Sequence, residues 1–143
     1  MVYTHSKRRN MAMSTIDDLY QETIIEAARD QRHKGAIAEA KIRHTATNAS
    51  CGDTTEVFIQ LDPTGHYISE LKWQGNGCII SQAALSSIAA AIQESAVEDV
   101  QKLTEADVLD LLGLASIAPA RKKCLGLGLR VIQEALNARV KQH

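Results

Sequence analysis

The chain has 143 residues, a formal net charge of -1, 45% hydrophobic and 23% charged residues, and one Trp, three Tyr and one Phe. That length is one domain's worth and buries a core without disulfide staples; with so few aromatic residues, Ala, Ile, Leu and Val must build it. Balanced charge gives nucleic acid and acidic membrane surfaces no general pull, and no apolar run of spanning length or secretory leader is visible, so neither partner is expected.

Residues 1–13 are polar, contain Lys7-Arg8-Arg9 and read as a disordered basic tail, leaving 14–143 as a single domain. Ser14-Thr15-Ile16-Asp17 has the form of a capping box, and apolar spacing from Ile16 through Leu19, Tyr20, Ile24, Ala27 and Ala28 predicts a helix from about Thr15 to Arg32. After Gly35 the pattern becomes shorter and partly alternating over Ile37 to Ile42, followed by a polar run from His44 to Ser50. Thr55 to Leu61 is rich in β-formers, Asp62-Pro63-Thr64-Gly65 is a turn with proline preset, and Tyr67 to Trp73 alternates again. Together these predict a three-stranded antiparallel meander.

Gln74-Gly75-Asn76-Gly77 reads as a breaker, and Cys78 to Glu94 as an Ala/Ile/Leu-rich helix burying Ile80, Ala84, Ser87, Ile88 and Ala91. Thr104-Glu105-Ala106-Asp107 opens a short helix that Gly113 stops. Pro119 suits the entry of a last helix, from about Ala120 to Lys141, with Leu125, Leu129, Ile132 and Leu136 as its buried stripe. Gly126 and Gly128 inside it cost about 1 kcal/mol each against alanine, a cost that close packing of another backbone would explain. The expected fold is α+β: a small three-stranded antiparallel sheet with helices packed on one face.

Three cysteines cannot pair among themselves, which with the absent leader points to a reduced, cytoplasmic thiol protein. Cys51 and Asp53 flank Gly52, a spacing that turns both side chains to one point if the backbone bends. Cys78 and Cys124 each stand near a predicted helix start, where the free amides and nearby cations favour thiolate, the form that attacks and ligates. Three thiolates and a carboxylate suit tetrahedral zinc or the irons of a small iron–sulfur cluster. No CxxC pair is present, so spacing alone is a weak signal. Lys122 and Lys123 oppose the helix dipole, which a neighbouring thiolate or an acidic partner would offset. His33, His44 and His66 read as solvated loop histidines, Ser81 as a helix-stabilising hydroxyl under the cysteine loop and Trp73 as packing.

Whole motifs carry more than spacing. Asn48-x-x-Cys51-Gly52-Asp53, Gly75-x-Gly77-Cys78-Ile79-Ile80-Ser81 and Ala120-Arg121-x-Lys123-Cys124, with Arg32-x-Lys34-Gly35 ahead of them, resemble the motifs of the IscU/SufU/NifU N-terminal family of iron–sulfur cluster assembly proteins. The resemblance implies Cys51, Asp53, Cys78 and Cys124 as ligands of zinc, or of iron in a transient 2Fe-2S cluster. Cys51 and Cys124 would be the sulfur-carrying thiols, with Arg121 and Lys123 in support. It further implies a cysteine desulfurase as sulfur donor and apo-proteins or downstream assembly proteins as acceptors, a scaffold rather than a classical enzyme. Asp53 would be the weak ligand, a hard oxygen among soft sulfurs.

The branches of the family divide over the details. Lys123 stands where scaffold members carry histidine, and Lys123 with Arg121 resembles the zinc-dependent sulfur-relay branch. The interval between Cys78 and Cys124, in contrast, has scaffold length. Gln31, His33 and Ala49 replace residues usual in the family, and Ile117-Ala118-Pro119-Ala120-Arg121 stands in place of the scaffold's chaperone-binding Leu-Pro-Pro-Val-Lys. A zinc-stabilised interaction module without sulfur chemistry is the alternative of a different class. A zinc hydrolase is disfavoured, because four protein ligands leave no position for water.

Overall fold

The computed structural model of the protein describes residues 22–48 and 52–141. The expected tail at 1–13, the capping box at Ser14 and Cys51 lie outside the described residues. Three strands, β1 (Ile42–Asn48), β2 (Asp53–Leu61) and β3 (Ile68–Asn76), form an antiparallel sheet in sequence order. Among the described residues, five helical segments accompany it: α1 at 22–29, α2 (Ile79–Ile92), α3 (Val97–Gln101), α4 (Glu105–Leu112) and α5 (Lys122–Lys141), the last entered through a 3-10 turn at Pro119–Arg121. This is the α+β arrangement expected from the sequence.

The alternation of β2 sets which way the sheet faces. Val57 and Ile59 pair with Trp73 and Leu71 of β3, and all four are buried in the main core. Each contributes about 1.5–3 kcal/mol by leaving water. Phe58 points the other way and is buried under the Arg43 guanidinium, 4.9 Å from its ring centre. Helix α5 lies against β1 and β2, α2 against β3 and α5, and α4 closes over both helices. The carbonyl of Asp30, just past α1, accepts from the Ser86 hydroxyl at 3.1 Å, which fixes α1 to α2.

Several local expectations shift. The first strand occupies the polar run, not Ile37 to Ile42: Arg43, Thr45 and Thr47 face outward while Ile42, Ala46 and Asn48 are buried. Strand β3 continues through the supposed breaker to Asn76, and Gly75 at φ +154 is opposite Thr55, where a Cβ would strike the backbone of β2. Helix α2 is buried on almost every side, because sheet, α4 and α5 surround it; its Ala91 is exposed and Ser87 only partly covered. Helix α3 had no signal of its own. It is held from outside, by Val97 N–H donating to the His66 carbonyl at 2.8 Å and by Gln133 of α5 reaching the Val100 and Leu103 carbonyls. Helix α4 matches its expectation, with a Thr104–Asp107 capping box and Gly113 left-handed at its end.

Candidate metal centre

Three elements deliver the site. Asp53 opens β2 opposite Asn48, and the connection is tight: Gly52, at φ +73, donates its N–H to the Asn48 carbonyl at 2.8 Å. The Asp53 side chain therefore points inward beneath the sheet end, 2% exposed. Cys78 is the residue that caps the N-terminus of α2, in extended backbone, and is half-buried. Its N–H, one of the amides a helix start leaves without an internal partner, donates to Asp53 Oδ1 at 3.0 Å. Cys124 lies in the first turn of α5 and is 2% exposed. Both cysteines thus stand at helix starts, as their surroundings in the sequence imply.

The ligand atoms of Asp53, Cys78 and Cys124 all lie within 4.8 Å of one another. Around one tetrahedral ion with sulfur at about 2.3 Å, neighbouring ligand atoms stand about 3.8 Å apart, so closure on an ion needs movements of about 1 Å at most. Two soft sulfurs and one hard oxygen suit zinc or iron. Gly77 makes the convergence possible, since a Cβ there would lie 3.1 Å from Asp53 Cγ and 3.3 Å from Ser81 Cβ. The Gln82 amide holds this glycine in place by donating to its carbonyl at 3.0 Å.

Ser81 is the residue whose part the sequence understated. Its hydroxyl, on a side chain 1% exposed, lies 2.5 Å from Asp53 Oδ2, 3.2 Å from the Cys124 carbonyl and 3.7 Å from Cys78 Sγ. The signals available in advance were its place in the Gly75-x-Gly77-Cys78-Ile79-Ile80-Ser81 motif and its position one helical turn after Cys78, on the same face. Of the expected supporting residues, Arg121 ends the 3-10 turn and Lys123 is the second residue of α5, both exposed. Lys122, Lys123 and Arg130 line a cavity of about 600 Å³ beside the centre, with Asn48, Thr104 and the single acid Glu105. No histidine belongs to the described ligand group. His44, the one nearest in sequence to Cys51, instead meets Glu134 Oε1 of α5 at 3.1 Å, and His33 Nδ1 lies 3.4 Å from the Gln93 amide.

A small sheet capped by helices brings a strand-end carboxylate and two helix-start thiols to one point, a group that could hold a metal ion. The chain belongs to the NifU-like N-terminal domain family, which it matches over residues 19–142. It is 27% identical over 133 residues to the iron–sulfur cluster assembly scaffold protein IscU of Thermotoga maritima, covering 82% of this chain and 92% of that one. It is 25% identical over 139 residues to the zinc-dependent sulfurtransferase SufU of Bacillus subtilis, covering 86% and 92%. The fold is shared with the N-terminal part of a nitrogen-fixing NifU-like protein from Brucella abortus, at a TM-score of 0.75 and 16% identity over 90% of this chain and 99% of that one. The crystal structure of a SUF-system scaffold from Fervidobacterium islandicum aligns with a TM-score of 0.72 at 24% identity, over 82% and 96%.

Proposed function

We propose that this protein serves iron–sulfur cluster assembly, accepting sulfur from a cysteine desulfurase and holding a transient 2Fe-2S cluster on Cys51, Asp53, Cys78 and Cys124 for transfer to acceptor apo-proteins. The observation that carries the reading is the convergence of Asp53, Cys78 and Cys124 within 4.8 Å in a member of this family. A cluster held here is cargo. In the sulfur step, a cysteine thiolate of this chain attacks the outer sulfur of the donor's persulfide; the new S–S bond forms as the old one breaks, and the donor leaves as thiolate. Cys124 is buried, so it receives sulfur only after the centre opens. Asp53, the hard ligand, is the one that detaches.

One observation favours a second reading, a zinc-dependent sulfur relay. Ligands on opposite irons of a cluster stand farther apart than ligands of one ion, and the described trio is compact enough for a single zinc. Incubation with a pyridoxal-phosphate cysteine desulfurase and cysteine, followed by mass spectrometry, should show persulfide on this chain. An unmodified protein would overturn both readings in favour of a purely structural zinc module. Anaerobic reconstitution with zinc analysis in parallel then separates cluster from relay: an intensely coloured protein marks the scaffold, retained zinc that speeds desulfurase turnover marks the relay. In the scaffold case Asp53→Ala slows cluster loss, and loss at the parent's rate would remove the labile-ligand role.

A further inference from the structure

We propose that Ser81 is a positioning residue that sets how readily Asp53 lets go of a bound ion. The inference rests on the proposed role of Asp53 as a ligand. A hydroxyl carries one proton, and three acceptors surround that of Ser81: Asp53 Oδ2 at 2.5 Å, the Cys124 carbonyl at 3.2 Å and Cys78 Sγ at 3.7 Å. The carboxylate is the nearest and the strongest of them. Its separation is that of a charge-assisted O–H···O bond, roughly twice as strong as a neutral one. The other carboxylate oxygen is already engaged by the Cys78 N–H at 3.0 Å.

Both oxygens of Asp53 are therefore held by donors from the first turn of α2, and both donors belong to that helix rather than to the strand that carries the aspartate. Each donor draws on the same oxygen electrons that a metal ion needs. Each also keeps the carboxylate satisfied when it is off the ion, inside a pocket where an unpaired carboxylate would be costly. The pair of bonds thus lowers the energy of the detached carboxylate relative to the ligated one. The Cys78 N–H is fixed by the backbone, whereas the Ser81 hydroxyl is a donor that a side-chain change can remove. The same hydroxyl reaches the Cys124 carbonyl and the Cys78 sulfur, so it touches every described member of the ligand group.

The test is a double-mutant cycle on the full chain loaded with Co2+ or Zn2+, reading metal release to a chromogenic chelator and the Co2+ absorption bands. Ser81→Ala deletes a single oxygen and puts the better helix former at that position, so α2 is retained. With Asp53 present, Ser81→Ala should slow release about tenfold, the size expected for a lost hydrogen bond to a charged group, and shift the Co2+ bands. In an Asp53→Ala background the same change should alter neither. Ser81→Thr, which keeps the hydroxyl, should restore the parent rate. Equal slowing in both backgrounds would make Ser81 merely structural and overturn the proposal, as would unchanged or faster release with Asp53 present. Co2+ bands unaffected by Asp53→Ala in the parent would instead overturn Asp53 as a ligand, and the Ser81 role with it.

Discussion

Two aspartates at the ends of secondary-structure elements show how differently a carboxylate can be used. Asp53 is buried and accepts hydrogen bonds from the Cys78 backbone amide and the Ser81 hydroxyl. Asp30, past the end of α1, is gripped by the Arg32 side chain at 2.6 Å and by the Arg32 N–H at 3.0 Å, and these bonds lower its pKa to about 2. A carboxylate depressed in the folded state stabilises the fold above its ordinary pKa near 4, and that contribution disappears as pH falls from there through about 2. Asp30→Asn should therefore cost stability at neutral pH, by less than about 1 kcal/mol because the Arg32 end is open to water. The gap between parent and variant should close as urea unfolding is repeated from about pH 5 downward. A gap that stays constant would show that the pair contributes nothing through charge.

At the scale of elements, the two glycines of α5 separate cleanly. A Cβ at Gly128 would sit 2.9 Å from Leu85 Cγ and 3.6 Å from Leu85 Cα, against a fully buried side chain of α2. Gly128→Ala should destabilise by about 1–3 kcal/mol through overpacking, more than its helix-propensity gain of about 1 kcal/mol. A Cβ at Gly126 meets only the end of the Glu105 side chain, which can swing away, so Gly126→Ala should leave stability unchanged or raise it by up to about 1 kcal/mol. Thermal unfolding of the two variants checks the contrast. Close packing against a neighbouring helix, expected from the sequence, is found at Gly128, where the closest atoms are side chain rather than backbone. Other elements were legible where local chemistry decides: the β-formers of β2, the Asp62 turn, the Thr104 cap, the leucine stripe of α5. Strand β1 was not, because at the sheet edge its outward residues are polar and its inward ones, Ile42, His44, Ala46 and Asn48, are only half apolar, leaving no clean alternation. Asp53, Cys78 and Cys124 were named through whole-motif resemblance, whereas the Ser81 contact needs the approach of α2 to the end of β2, which no local pattern encodes.

Across the whole molecule, the cations beside the centre belong to one face. Lys122, Lys123 and Arg130 line the cavity with Glu105 as the one acid among its lining residues, and Glu134 lies 3.8 Å from Arg130. An acidic segment of the proposed sulfur donor is the complement, and charge of this kind acts on association rate. The pair Lys122→Glu and Lys123→Glu should slow association with the desulfurase about tenfold at low salt, with the difference shrinking toward 1 M salt as screening takes over. Stopped-flow rates indifferent to both charge and salt would place the docking face elsewhere. Among the described residues no helix is long and apolar enough to cross a membrane. The described ligands come from a strand end and two helix starts that are tens of residues apart along the chain. In the proposed four-ligand centre a half-made chain therefore offers at most the local pair Cys51 and Asp53, since bringing Cys78 and Cys124 to them closes long loops at an entropic cost. On the proposed reading, firm capture of a metal ion waits for the last helix to bring Cys124 into place, so a loaded centre would mark a finished fold.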